Sequence, residues 1–262
     1  MDILEYLAVA EEAARIGGEI LQDWSHRFTS REKSPANLVT EADFASEQAI
    51  FQYIQSYYSE HRFLGEEGLL KDHTDSPFRW IIDPLDGTSN YVHGFPYYAV
   101  SIGLEHDGNL IVGAIYDPSR DEMFSAAIGH GAHLNRAAIQ VSETNQLSNA
   151  MCMASLPVKS TRDHISVRRF LEVLESAQTV QRSGSAALNL CAVASGRIDA
   201  FWSTTLNPWD MAAGVVIVRE AGGLVTTGQD QPFDVQIPDL LCSNGTELHR
   251  QIVNCLARVS EK

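Results

Sequence analysis

Apolar residues recur at Leu4, Leu7, Ala8, Ala14, Ile20, Leu21 and Trp24, one stripe of an amphipathic helix predicted over 2–26. Gly17-Gly18 weakens that helix locally. The polar stretch 29–38 reads as a loop. A second helix starts at Thr40, where Thr40-Glu41-Ala42-Asp43 has a capping pattern and Val39 is placed to staple the entry. Phe44, Ile50, Phe51 and Ile54 continue its apolar side.

The periodicity then shortens. Phe63-Leu64 and Trp80-Ile81-Ile82 are short apolar runs. Ala99–Glu105 and Leu110–Tyr116 flank Asp107-Gly108, a hairpin signal, and Glu122–Ala126 and Ala137–Val141 extend an antiparallel meander. Beyond about residue 145 the chain alternates. Strands are predicted at Ala150–Ser155 and Asp199–Trp202. Helices are predicted at Ser166–Ala177, Ala186–Ala194, Trp209–Ala221 and Leu248–Val259, with Gly222-Gly223 ending the third of these. The pattern divides the chain into an N-terminal α+β part (1–145) and a C-terminal α/β part (146–262) that share an interface and a site. There is no linker, repeat or low-complexity segment.

Composition narrows the function. Of 262 residues 44% are hydrophobic, a globular value. No run of 18 apolar residues occurs, and the acidic N-terminus lacks the pattern of a signal peptide, so a cytoplasmic protein with no membrane partner is expected. The net charge of −15 argues against direct nucleic-acid binding. It also means that an anionic substrate needs a local cation to reverse the field. Cys152, Cys191, Cys242 and Cys255 are scattered and read as reduced, buried thiols.

The chemistry concentrates in carboxylates at the ends of elements. Asp83 and Asp86 follow the run Trp80-Ile81-Ile82, which reads as a strand ending at Ile82. Pro84 stops the ladder there and Gly87 permits a tight turn. Thr88, Ser89 and Asn90 then suit the opening of a short helix whose amides can meet an anion. Hard carboxylate oxygens beside phosphate-binding amides suit metal-assisted phosphate chemistry. Gly65-Glu66-Glu67-Gly68 holds two more acids in a turn, and Asp210 opens an apolar helix. Each alone reads as a capped turn, a solvated loop or dipole stabilisation. Together they imply one site. His130-Gly131-Ala132-His133 reads as a turn between strands rather than a zinc site.

These motifs resemble the inositol monophosphatase family of magnesium-dependent sugar-phosphate phosphatases. The resemblance is carried by Asp83-Pro84-Leu85-Asp86-Gly87-Thr88 and by Trp209-Asp210-Met211-Ala212-Ala213-Gly214 with Glu220-Ala221-Gly222-Gly223. It is carried also by Gly65-Glu66-Glu67 and by Leu38-Val39-Thr40-Glu41-Ala42-Asp43. It implies a five-layer αβαβα sandwich and two or three Mg²⁺ per site. Glu66, Asp83 and the Leu85 carbonyl would hold one ion, and Asp83, Asp86 and Asp210 a second; Glu66 would help hold a third. Gly87 and Thr88 amides would face the phosphate, and Asp43 would hydrogen-bond the Thr88 hydroxyl to orient the attacking water. Asp43, Glu66 and Thr88 are thus the expected catalytic residues.

The expected substrate contacts are Gly87, Thr88, Ser89, Arg182, Gly184, Ser185, Ala186, Ser203 and Asp210. Ser203 stands where inositol-preferring members usually carry a glutamate. A serine is shorter and neutral, and this shifts the expected polyol preference. Lys33, which lies near where the family often has a phosphate lysine, reads as a solvated side chain. The reading is hydrolysis of a small phosphorylated polyol, inositol 1-phosphate first, by a homodimer. Its alternatives are a histidinol-phosphate phosphatase and a transcription-associated binding protein of the same fold.

Overall fold

The computed structural model describes residues 2–25, 27, 29–34, 37–72 and 75–259, with 30–34 and 37–39 as backbone only. The side chains of Lys33 and Val39 therefore lie outside the described residues. Helix α1 (Ile3–Trp24) is followed by a small antiparallel hairpin, β1 (Ser30–Ser34) and β2 (Asn37–Thr40), where the polar pattern suggests a loop. Helix α2 (Glu41–Tyr57) begins at Thr40, whose backbone N–H donates to Asp43 Oδ2 at 2.9 Å, the reciprocal half of the expected capping box.

An eight-stranded sheet follows. It comprises β3 (Arg62–Gly65), β4 (Leu70–Lys71), β5 (Phe78–Asp86), β6 (Ala99–His106), β7 (Asn109–Asp117), β8 (Glu122–Ala127), β9 (Ala132–Leu134) and β10 (Ala137–Ile139). The short helix α3 (Thr88–Val92) interrupts it between β5 and β6. The order is β10-β9-β8-β7-β6-β5-β3-β4. The expected meander is present from β5 onward, but β3 runs parallel to β5, so the sheet is mixed rather than wholly antiparallel.

The second sheet takes β11 (Met151–Ala154), β12 (Thr179–Gln181), β13 (Ala200–Ser203), β14 (Leu224–Thr226) and β15 (Leu240–Ser243), in the order β12-β11-β13-β15-β14. Helices α4 (Ile165–Leu174), α5 (Ala186–Ala194), α6 (Pro208–Glu220) and α7 (Glu247–Ala257) complete the chain. Strands β12, β14 and β15 escape the sequence reading. Each is three or four residues long, too short to display a period.

Three apolar clusters define the layers. One joins α1 and α2 to one face of the large sheet. A central cluster holds α5 and α6 between the two sheets. The third packs α4 and α7 on the far face of the small sheet. The result is the αβαβα sandwich expected. All nine residues of α5 are buried, because this layer is enclosed on both sides. Gly222 ends α6 in the left-handed region with φ 86°. Its N–H reaches the Arg219 carbonyl, and Gly223 N–H reaches the Val218 carbonyl at 2.9 Å, a Schellman arrangement. All four cysteines are free and buried. Among the described residues, no helix is long and apolar enough to cross a membrane.

Candidate active site

Strand β5 does not stop at Ile82. It continues through Pro84 to Asp86 with a register shift against β6, pairing Asp83 with Ser101 and Asp86 with Ala99. Three residues advance on β5 for two on β6, so a bulge accommodates the proline, which has no N–H to give the ladder. Both carboxylates thus stand at the end of a central strand. Asp83 Oδ1 accepts the Leu85 N–H at 3.0 Å, which fixes the turn. Gly87 then takes φ 93°, a conformation costly for any residue with a Cβ, and passes the chain into α3.

Asp210 comes from the middle layer. It lies in the first turn of α6, where its Oδ2 accepts the Asn207 N–H at 2.6 Å. Ligand oxygens of Asp83, Asp86 and Asp210 lie within 4.8 Å of one another. Glu66, just past β3, is a coulombic and hydrogen-bonding neighbour of Asp83. Its backbone N–H donates to the Ile82 carbonyl at 3.2 Å, which ties the turn after β3 to the end of β5.

The electrostatics follow from this crowding. Asp83 is pushed well above the usual carboxylate range by burial, and then by Glu66, Asp86 and Asp210. Asp210 is pushed up to about 8, by burial first and then by Asp86. Asp86 rises only to about 6, because the Ser185 hydroxyl and the Ala187 and Ala186 amides oppose its desolvation. Like charges gathered out of water are unfavourable unless a cation compensates them. An all-oxygen donor set with no histidine or cysteine fits a hard divalent ion.

The remaining expected residues fall as follows. Asp43 is fully buried, with the Thr40 N–H and hydroxyl both on its Oδ2, at 2.9 and 2.5 Å. The Thr88 hydroxyl donates to the Leu85 carbonyl at 3.1 Å, so its proton is directed there rather than to Asp43. Arg182 and Gly184 are exposed. Ser185 is fully buried and turned onto Asp86 at 2.5 Å. Ser203 closes β13 at 1% exposure, its hydroxyl accepting the Thr205 N–H at 3.4 Å.

A further set goes unnoticed in the sequence. Asn90 Nδ2 donates to the carbonyls of Tyr97 at 2.7 Å and Ser183 at 3.0 Å. The Tyr97 hydroxyl and the Ser183 hydroxyl both donate to Asn189 Oδ1, at 3.1 and 2.6 Å. These bonds fasten the start of α5 to α3 and Tyr97, which follow the carboxylate end of β5. Asn189 is the one polar residue in the apolar run 186–194, and that was the available signal.

A layered αβαβα sandwich with clustered carboxylates at the end of a central strand defines the class of metal-dependent phosphatases. Residues 2–261 match the inositol monophosphatase family, and the chain belongs to it. It is 41% identical to the inositol-1-monophosphatase of Synechocystis sp., over 98% of this chain and 90% of that one. It is 39% identical to the Nus factor SuhB of Pasteurella multocida, over 84% of each. Its fold is similar to that of an inositol monophosphatase from Anabaena, with a TM-score of 0.89 and 36% identity over 99% of this chain and 98% of that one. The protein is a metal-binding phosphoric monoester hydrolase, and its substrate is a small phosphorylated molecule.

Proposed function

We propose that the protein hydrolyses the phosphate monoester of a small polyol, inositol 1-phosphate first among them, with Mg²⁺ as its ion. The observation that carries this reading is the convergence of Asp83, Asp86 and Asp210 within 4.8 Å, with Glu66 against Asp83. Glu66, Asp83, the Leu85 carbonyl, Asp86 and Asp210 would hold the ions. The Leu85 carbonyl has two lone pairs, so accepting the Thr88 hydroxyl leaves one available. Bound Mg²⁺ supplies neutralisation of phosphate charge and acidification of water.

The chain's own groups do the rest. The Gly87 and Thr88 amides receive phosphate oxygens. Thr88 would orient the attacking water once its hydroxyl proton turns from the Leu85 carbonyl to Asp43, as the family resemblance implies. The Ser203 position, neutral and closed in, gives a polyol no carboxylate to grip. For that reason histidinol phosphate is the second substrate reading. Similarity to a Nus factor supports a protein-binding role beside catalysis.

The test is phosphate release by the purified protein, with and without Mg²⁺, on inositol 1-phosphate, histidinol phosphate, fructose 1,6-bisphosphate and a 3′-phosphonucleotide. Mg²⁺-dependent release with inositol 1-phosphate preferred supports the proposal. A preference for histidinol phosphate moves the substrate to the second reading. Silence across the panel from folded, Mg²⁺-binding protein refutes the choice of substrate.

A further inference from the structure

We infer that Ser185 and the first turn of α5 are positioning elements for Asp86, holding it with one oxygen presented to the metal cluster, and do not contact substrate through their side chains. The inference rests on the reading of Asp86 as a metal ligand.

The geometry is a relay. The Ser185 hydroxyl donates to Asp86 Oδ2 at 2.5 Å, and the Ala187 N–H donates to the same oxygen at 2.7 Å. The Leu188 N–H in turn donates to Ser185 Oγ at 3.2 Å. The single proton of the serine hydroxyl is committed to the carboxylate, and a lone pair to the helix. Ser185 is fully buried, so no substrate hydroxyl reaches it. Both bonds fall on Oδ2, and Oδ1 receives neither.

A carboxylate among like charges has every reason to swing away from them. Two donors on one oxygen, one of them a helix amide, oppose that motion. The start of α5 has anchors besides Asp86. Asn90 holds the Ser183 carbonyl at 3.0 Å, and the Tyr97 hydroxyl holds Asn189 at 3.1 Å. The helix is therefore a fixed support, and Asp86 is the group it orients. The ligand comes from one sheet and its support from the layer between the sheets, so the metal centre is complete only when both are in register.

Capping of α5 is the competing role for Ser185, and metal affinity separates the two. Ser185→Ala removes the donor and the cap. Ser185→Gly removes the donor while costing a cap only slightly, which keeps the test valid if the alanine variant folds poorly. Ser185→Thr keeps the hydroxyl. Mg²⁺ affinity is read by calorimetry and by the Mg²⁺-dependent rise in Tm, with kcat and KM taken at saturating Mg²⁺. We expect Ser185→Ala and Ser185→Gly to bind Mg²⁺ roughly 10–100-fold more weakly, the range for removing a partner of a metal ligand. The activation curve should move to higher Mg²⁺ while KM for the phosphate substrate changes little, and Ser185→Thr should restore the affinity.

Wild-type Mg²⁺ affinity in Ser185→Gly, with only the metal-free Tm lowered, would overturn the inference and leave Ser185 as a cap. A rise in KM at unchanged Mg²⁺ affinity would overturn it in favour of substrate contact. Asp86→Asn is the control for the underlying reading. If it binds Mg²⁺ like the wild type, the assignment of Asp86 as a ligand is what fails.

Discussion

The side-chain amide of Asn90 donates to the backbone carbonyl of Ser183 at 3.0 Å, across a sequence separation of 93 residues. Its second bond, to the Tyr97 carbonyl at 2.7 Å, ties α3 to the segment that leads into β6. One amide thus links α3, which follows directly on the carboxylate end of β5, to the segment that enters α5. Gly184 sits against this amide, where an added Cβ would lie 2.9 Å from Asn90 Nδ2.

Replacing Asn90 with alanine leaves two carbonyls without their donor in a half-buried place. We expect a stability loss of about 1–3 kcal/mol, read from the urea midpoint at unchanged m-value. The loss of Mg²⁺-dependent turnover should exceed what the unfolded fraction explains, because the support of Asp86 moves. Full turnover at wild-type Mg²⁺ requirement would show that the two halves are registered without this bond.

Removing one charge from the cluster has opposite effects on stability and function. Asp83 is 1% exposed and faces Glu66, Asp86 and Asp210. In Asp83→Asn the bond to the Leu85 N–H can be kept while the repulsion is relieved. The variant should melt higher than the wild type in EDTA, lose the Mg²⁺-dependent rise in Tm, and release no phosphate. The pH dependence of the metal-free wild type has a definite sign. Asp210 is raised from 3.8 to about 8, so its contribution to stability is complete below pH 3.8 and is lost as pH rises through about 8. Above pH 6.5, where His61 is neutral in folded and unfolded chains alike, metal-free Tm should fall as pH rises toward about 8, and saturating Mg²⁺ should reverse the fall. A metal-free Tm that rises with pH there would contradict the crowding.

Helix, hairpin and carboxylate motifs were legible because each is local. The stripe from Leu4 to Trp24, the Thr40 cap, the Asp107-Gly108 turn and the cluster at 83–88 all declare themselves within a dozen residues. What was hidden depends on distant partners. Pro84 reads as a strand terminator, and only the bulge against β6 lets β5 continue through it. The 29–38 stretch carries no apolar alternation, yet β1 and β2 pair there as a separate two-stranded unit. Ser185 reads as a pocket residue because nothing nearby reveals that its hydroxyl meets a carboxylate 99 positions earlier.

Close packing of α6 on the large sheet gives a further prediction. A Cβ built at Gly113 would lie 2.2 Å from the Ala213 carbonyl oxygen, and its neighbouring contacts are also helix backbone. Backbone cannot step aside as a flexible side chain does. Gly113→Ala must push α6, and Asp210 with it, away from β7. A destabilisation of about 1–3 kcal/mol is expected, together with a weaker Mg²⁺-dependent rise in Tm. Gly108→Ala, where nothing lies within 4 Å of the added Cβ, is the comparison. It loses stability only through its φ of 80° and should leave the metal response intact.

His61 makes the fold acid-sensitive at a place remote from the carboxylate cluster. Its Nδ1 accepts the Trp80 indole N–H at 3.1 Å, and its ring stacks on Tyr58 and Phe78 at 4.7 and 4.8 Å. An indole nitrogen only donates, so this bond exists only while Nδ1 is unprotonated. Burial, and then the Lys71 charge, lower the imidazole from 6.5 to about 4. Between those values the unfolded chain binds a proton that the folded chain refuses. The stability associated with His61 is therefore intact above pH 6.5 and declines as pH falls toward 4. His61→Gln keeps an acceptor near Trp80 but cannot titrate. The urea midpoint of the wild type, measured from pH 7.5 down to about 4.5 in EDTA, should approach that of the variant as the medium is acidified. A constant gap between the two curves would mean that the imidazole takes its proton equally readily in both states, and that the stacked ring with its indole bond does not hold it neutral.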